Sequence, residues 1–298
     1  MTPYYNLGSY GSSYSGMSSG ASAYGYGYGD YGSQIYGTPG DDTLTGGTGD
    51  DLLDGGNGHD VLLGGGGNDR LNGGDGNDHL FGQSPMGGAD GADSLNGGDG
   101  SDYLQGNAGN DMLDGGVGSD RMNGGADDDA MTGYVGNDTM NGNRGNDMVD
   151  GGDGNDSLRG GQGNDTLSGG AGSDILSGDL GQDSLVGGGD GDVFLFSGLA
   201  SPIATPDRIA DFDPASDRLA LGFAPAALLT GASQADLAAA SSFAQSLLDG
   251  HAGDQEVVAL AVGADTYLFY SSTGGATADS AVLLAGLNAG AVVAGDFI

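Results

Sequence analysis

From about Gly37 to Leu195 a single large apolar residue returns every nine positions. It is Leu44, Leu53, Leu62 and Leu71 early on, then Met122, Met131, Met140 and Val149, and finally Phe194. A fixed period of this kind marks a stacked repeat, in which no unit buries its apolar residue alone. The polar positions keep the same rhythm. Aligned, the unit reads Gly-Gly-x-Gly-x-Asp-x-U-x, with U apolar. Gly46-Gly47-Thr48-Gly49-Asp50-Asp51-Leu52-Leu53-Asp54 is one copy, and Gly160-Gly161-Gln162-Gly163-Asn164-Asp165-Thr166-Leu167-Ser168 another. Seventeen units follow one another, the first and last degenerate, with one break in phase: a six-residue insertion assigned to Gly82 through Gly87.

The sixth position is Asp in every unit: Asp42, Asp51, Asp60, Asp69, Asp78, Asp93, Asp102, Asp111, Asp120, Asp129, Asp138, Asp147, Asp156, Asp165, Asp174, Asp183 and Asp192. Glycines at positions one, two and four permit positive φ and let main-chain carbonyls turn toward a common point. The aspartate adds a charged oxygen to that concavity. Carbonyl and carboxylate oxygens together are the donor set that Ca²⁺ selects. The remaining three residues predict a short strand with its central apolar side chain inward. The fold class expected is therefore all-β.

Composition points the same way. Of 298 residues 67 are Gly, none is Cys or Lys, and Glu256 is the only Glu among 42 acidic residues. A solvating acidic surface mixes Glu with Asp, whereas tight turns and oxygen-ligand ion sites favour the shorter side chain. The net charge of −36 argues against nucleic acid or an anionic membrane as a direct partner. The lack of Cys removes disulfides and thiolate metal sites. No apolar run reaches the roughly 20 residues of a transmembrane helix.

This array resembles the RTX, or hemolysin-type, calcium-binding nonapeptide repeats, a period among those known for parallel β-helices. The resemblance implies a parallel β-roll with two units per turn and ions held between stacked turns. Asp51 would then share a site with the loop of Asp69, and Asp60 with that of Asp78. Seventeen units give 15 such pairings, of which Asp69 with Asp93 and Asp78 with Asp102 must bridge the insertion. Asp127 and Asp190 stand where the fourth glycine belongs, which marks their loops as weak or altered sites. Residues 37–195 hold 30 Asp and four Arg, a net −26. About 13–15 divalent ions would balance that charge, so the array is expected to fold only as it binds calcium. At a strand spacing of about 4.8 Å, roughly 8.5 turns would extend about 40 Å.

The chain divides into three parts. Residues 1–36 are a low-complexity head with nine Tyr, eight Gly and eight Ser. Residues 37–195 are the roll. Residues 196–298 read as a β-rich cap, with strands at 257–262, 266–270 and 281–284 and one helix opened by Ser233 and Asp236 as a capping box. Asp207-Arg208-Ile209 and Asp217-Arg218-Leu219 look like the exit such rolls use. The end, Gly295-Asp296-Phe297-Ile298, resembles a type I secretion signal. With no leader-like N-terminus, that implies a secreted, extracellular or cell-surface protein.

Catalysis finds little support. His-Glu-x-x-His cannot be built around Glu256 alone. His59, His79 and His251 are scattered. Gly16-Met17-Ser18-Ser19-Gly20 matches a nucleophile elbow only formally, inside a Gly/Ser/Tyr tract. The expected protein is not an enzyme but a calcium-dependent structural component of a surface layer, matrix or filament. The alternative is a soluble calcium-binding accessory, adhesin or carbohydrate-binding module. Calcium is the expected cofactor. Self-association and cell-surface polysaccharide are the candidate partners.

Overall fold

The computed structural model describes residues 24–26, 32–83, 90–196, 202–223, 225–249, 255–271 and 278–298. It forms two compact units, Met1–Asp153 and Gly154–Ile298. Both are built on a parallel β-roll.

In the first unit consecutive strands alternate between two sheets. One sheet stacks Tyr24–Tyr26, Thr43–Thr45, Val61–Gly65, His79–Gln83, Tyr103–Ala108, Arg121–Ala126 and Thr139–Arg144. The other stacks Gln34–Tyr36, Leu52–Asn57, Arg70–Asp75, Ser94–Asp99, Met112–Val117, Ala130–Val135 and Met148–Asp153. The strands pair in parallel and join equivalent repeat positions, as in Leu53 with Leu71 and Met122 with Met140. Two nonapeptides therefore make one turn.

The strands are longer than the three residues expected. Leu52–Asn57 and its equivalents run six residues, from position seven through position three of the next unit. Within them the side-chain alternation buries two positions, the apolar eighth residue and the first glycine. The two glycines of each pair thus have different tasks. Gly56 and Gly74, second in their units, have φ of 101° and 109°, the left-handed region where a Cβ is penalised. First-position glycines such as Gly55 and Gly73 do not enter that region, contrary to the expectation for position one. Their missing side chain matters for space: a Cβ on Gly55 would overlap Asp60 Oδ2.

The insertion also moves. Gly82 lies in the strand His79–Gln83 and fills the first-glycine place, since a Cβ there would meet Asp93 Oδ2. The six extra residues are therefore 84–89, outside the described residues, rather than 82–87.

The second unit has its own roll, with Ser157–Gln162, Ile175–Leu180 and Val193–Leu195 on one side, and Thr166–Ala171 and Ser184–Gly189 on the other. It does not stop at 195. Arg218–Ala220 pairs parallel to Val193–Leu195, and Asp207–Ile209 pairs parallel to Ser184–Gly189. Ser280–Leu284 then adds in parallel, followed by antiparallel Asp265–Tyr270 and Glu256–Val262. The helix Leu237–Asp249 buries Ala240, Ala244 and Leu248 against Val258, Leu260 and Phe269. It starts at Leu237, four residues after Ser233. Asp236 is its cap, accepting the Ala239 N–H at 2.8 Å, so the expected capping box does not form there.

Candidate metal centre

The turn that follows each strand brings position six back toward the interior. All seventeen position-six aspartates are buried. One carboxylate oxygen has a fixed partner one turn away. Asp60 Oδ1 accepts the N–H of Asp42, Asp69 Oδ1 that of Asp51, and Asp78 Oδ1 that of Asp60, at 2.7–2.8 Å. The same bond recurs up to Asp129 with Asp147 in the first unit. In the second unit it joins Asp156 with Asp174, Asp165 with Asp183 and Asp174 with Asp192. The two pairings across the insertion form as well: the Asp69 N–H donates to Asp93 and the Asp78 N–H to Asp102, both at 2.8 Å.

The second oxygen is different. Oδ2 of Asp60, Asp69, Asp78, Asp93, Asp102, Asp111, Asp120, Asp129, Asp174, Asp183 and Asp192 is buried without a hydrogen-bond partner. Each of these sits over the bare Cα face of a first-position glycine. The Cβ point of Gly55, which Asp60 Oδ2 crowds, lies 2.7 Å from the carbonyl oxygen of Gly73, one turn on. At Gly64 the carbonyl is that of Gly82, at 2.5 Å; at Gly73 it is that of Gly97, at 2.6 Å; at Gly169 it is that of Gly187, at 2.5 Å. A charged oxygen and a main-chain carbonyl thus converge where the absent side chain leaves room.

An unpaired buried carboxylate is costly, and the titration behaviour records it. Burial pushes Asp60, Asp69, Asp93, Asp102, Asp111 and Asp129 up to about 7. It pushes Asp174, Asp183 and Asp192 up to about 6. The N–H bond from the preceding turn opposes the shift, and nearby carboxylates add to it. Among the described residues no three His, Cys, Asp or Glu side chains converge on one point, so an ion here needs the main-chain carbonyls. Such a hard, oxygen-only set fits calcium.

Three features were not read from the sequence. Asp207 and Asp217 take the position-six place in the next turn, accepting the N–H of Asp183 at 2.9 Å and of Asp192 at 3.1 Å. The signal was there in Asp-Arg-Ile and Asp-Arg-Leu, which keep the Asp-x-U triplet without its glycines. Position five is not idle either. Its side chain accepts the N–H of the position-five residue one turn on: Asp41 from His59, His59 Nδ1 from Asn77, Asn77 from Ser101. Lastly, Asp127 and Asp190 keep φ positive, at 76° and 69°, a left-handed conformation Asp tolerates, where fourth glycines such as Gly58 and Gly76 lie at 133° and 134°. The formal nucleophile elbow and His251 lie outside the described residues.

A family description of the RTX calcium-binding nonapeptide repeat, four copies long, matches residues 28–62, 36–71, 54–84, 87–122, 114–149, 150–185 and 159–195. The chain belongs to this family. It is thus an RTX calcium-binding protein, and calcium is its metal. Among solved structures it is similar to the AlgE6R3 subunit of the Azotobacter vinelandii mannuronan C5-epimerase, at 26% identity. That match covers 61% of this chain and 78% of the other, with a TM-score of 0.25. It is also similar to the extracellular lipase LipA from Serratia marcescens, at 18% identity. There 91% of this chain aligns with 40% of the lipase, with a TM-score of 0.22. No curated protein matches the RTX chain.

Proposed function

We propose that the position-six aspartates are the calcium ligands, that the roll folds as it takes up the ions, and that the protein works outside the cell as a non-enzymatic structural component. The observation that carries the reading is the row of buried, unpartnered Oδ2 atoms, which in Asp60, Asp69, Asp78, Asp93, Asp102, Asp111, Asp120 and Asp174 share the space over a first-position glycine with a carbonyl of the next turn. Folding alone would leave these charges unpaired, and a divalent cation bound in the folded state alone stabilises that state by mass action. Oδ1 holds the turns in register, while Oδ2 of the same residue meets the ion. The head, roll and cap, expected at 1–36, 37–195 and 196–298, are working parts in this reading, although strands of the head and of the cap join the roll's sheets at both bounds; the cap closes the roll and carries the export signal.

Circular dichroism with calorimetric calcium titration tests the first half. Strand signal should rise with millimolar calcium, with many ions bound per chain, and collapse with chelator. A spectrum indifferent to calcium overturns it. Electron microscopy of the calcium-loaded protein tests the second half. Ordered filaments or sheets support a structural role, while isolated particles favour the soluble accessory instead.

A further inference from the structure

The two sheets of the first unit carry very different outer faces. The sheet containing Leu52–Asn57 presents Asp54, Asp75, Asp99, Asp114, Asp150 and Asp153 within its strands. The described strands of its partner sheet, from Thr43–Thr45 to Thr139–Arg144, contain no carboxylate at all. In a chain of net charge −36 such a face is a pronounced departure. Three chemistries replace the acids there.

At one end is an aromatic cluster. His79, Phe81 and Tyr103 pack with centroids 5.6–6.5 Å apart. Beside it run amides. Tyr103 Oη donates to Gln105, which donates to Asn107; Asn141 donates to Asn143 in the same manner two strands away. Third are the guanidinium groups of Arg121 and Arg144, both exposed. The only ion pair among the described residues is Arg159 with Asp179, in the other unit. Along the margin of this face, where the carboxylate-free strands meet their turns, lies a cavity of about 460 Å³, lined by His79, Tyr103, Arg121 and Thr139, by Ser101 and Ser119, and by the buried Asp102 and Asp120. Ser101 and Ser119 accept main-chain N–H groups of the next turn at 3.3 Å, which leaves their hydroxyl protons to donate outward.

We infer that this carboxylate-free face is a binding surface for a polysaccharide chain. Rings offer apolar faces with polar edges. Amides and hydroxyls both donate and accept, as ligand hydroxyls do. A guanidinium gives a bidentate donor fork for hydroxyl or uronate oxygens. The rows Tyr103, Arg121, Thr139 and Gln105, Asn123, Asn141 repeat strand by strand, so a polymer of repeating units meets a repeating wall. Two guanidinium groups are too few for the phosphate density of a nucleic acid. A protein partner would call for a larger apolar centre. The proposal requires the folded roll, not assembly into layers, so it can fail while the proposed function stands.

Affinity electrophoresis of the full calcium-loaded chain, through gels with dissolved pectate or with dissolved hydroxyethylcellulose, tests it. Retardation in pectate alone identifies an acidic glycan, and in hydroxyethylcellulose a neutral one; either supports the surface. Tyr103→Ala and Arg121→Ala, each with an unchanged calcium-dependent dichroism spectrum, should weaken binding roughly tenfold. Met112→Ala and Met148→Ala, on the opposite sheet, should leave it unchanged. No retardation in either gel, or equal retardation of all variants, overturns the proposal. So does a calcium-dependent dimer in sedimentation that both face variants abolish, since the face would then be a self-contact.

Discussion

The first glycine of each repeat shows how finely single positions are used. Gly55 is spared from positive φ, so alanine there meets no backbone penalty. What it meets is Asp60 Oδ2, with the Gly73 carbonyl 2.7 Å away. Gly55→Ala should therefore cost calcium binding at one site, seen as a lower ion count by calorimetry and a higher calcium midpoint for folding. If the substitution leaves both unchanged, the space is not the ion's. Tyr134 is the converse case. It holds a second-glycine position at φ 70°, where a bulky side chain is strained by roughly 1–2 kcal/mol. Tyr134→Gly should raise the melting temperature of the calcium-loaded protein, less than the strain alone suggests because glycine stiffens less of the unfolded chain. A lower melting temperature would show that the ring contributes more than its backbone costs.

At the scale of one strand and its turn, register is held by hydrogen bonds between turns rather than by the unbroken count of nine. Asp69 reaches Asp93 and Asp78 reaches Asp102 over 24 residues at the same 2.8 Å seen elsewhere over 18. Gln83, second in the interrupted unit, pairs with Gly65, and Asp90, third, bridges to Gly67, so 84–89 are the inserted residues. Deleting 84–89 should leave ion count and calcium midpoint unchanged within error. Loss of two sites on deletion would mean the insertion supplies ligands. This is also where the sequence stops being explicit. Aspartate and leucine periodicity reveals the stacked repeat and its position-six aspartates, because each demands a particular side chain every time; the roll with two units per turn is what the family resemblance implies. Strand length, the inward first glycine and the Asp207 and Asp217 extension depend on main-chain geometry, which Asp-Arg-Ile satisfies as well as Gly-Gly-x-Gly does. The helix was legible from the cap chemistry of Ser233 and Asp236. Its start was not, since Ser233 and Asp236 both carry cap chemistry and only tertiary packing chooses between them.

Over the whole molecule, one electrostatic fact dominates: a chain of net charge −36 buries a carboxylate in turn after turn. Calcium is one way to relieve that burden, and protons are another. Folding moves these carboxyls from the ordinary 3.8 up to about 7 in Asp60, Asp69, Asp93, Asp102, Asp111 and Asp129, and to about 6 in Asp174, Asp183 and Asp192. A group whose folded value is raised binds more protons folded than unfolded, so its contribution to stability is full below 3.8 and fades as pH climbs through 6 and 7. The calcium-free chain should therefore gain strand signal on acidification from pH 8 toward pH 4, with the alkaline end of that range its least stable condition. Calcium competes for the same oxygens, so its apparent affinity should fall across that window and its binding should release protons. Calorimetry at pH 6.5 in two buffers of different ionisation enthalpy would measure the release. Zero protons released, together with a calcium-free spectrum that does not change between pH 8 and pH 4, would show that the buried carboxylates do not control folding.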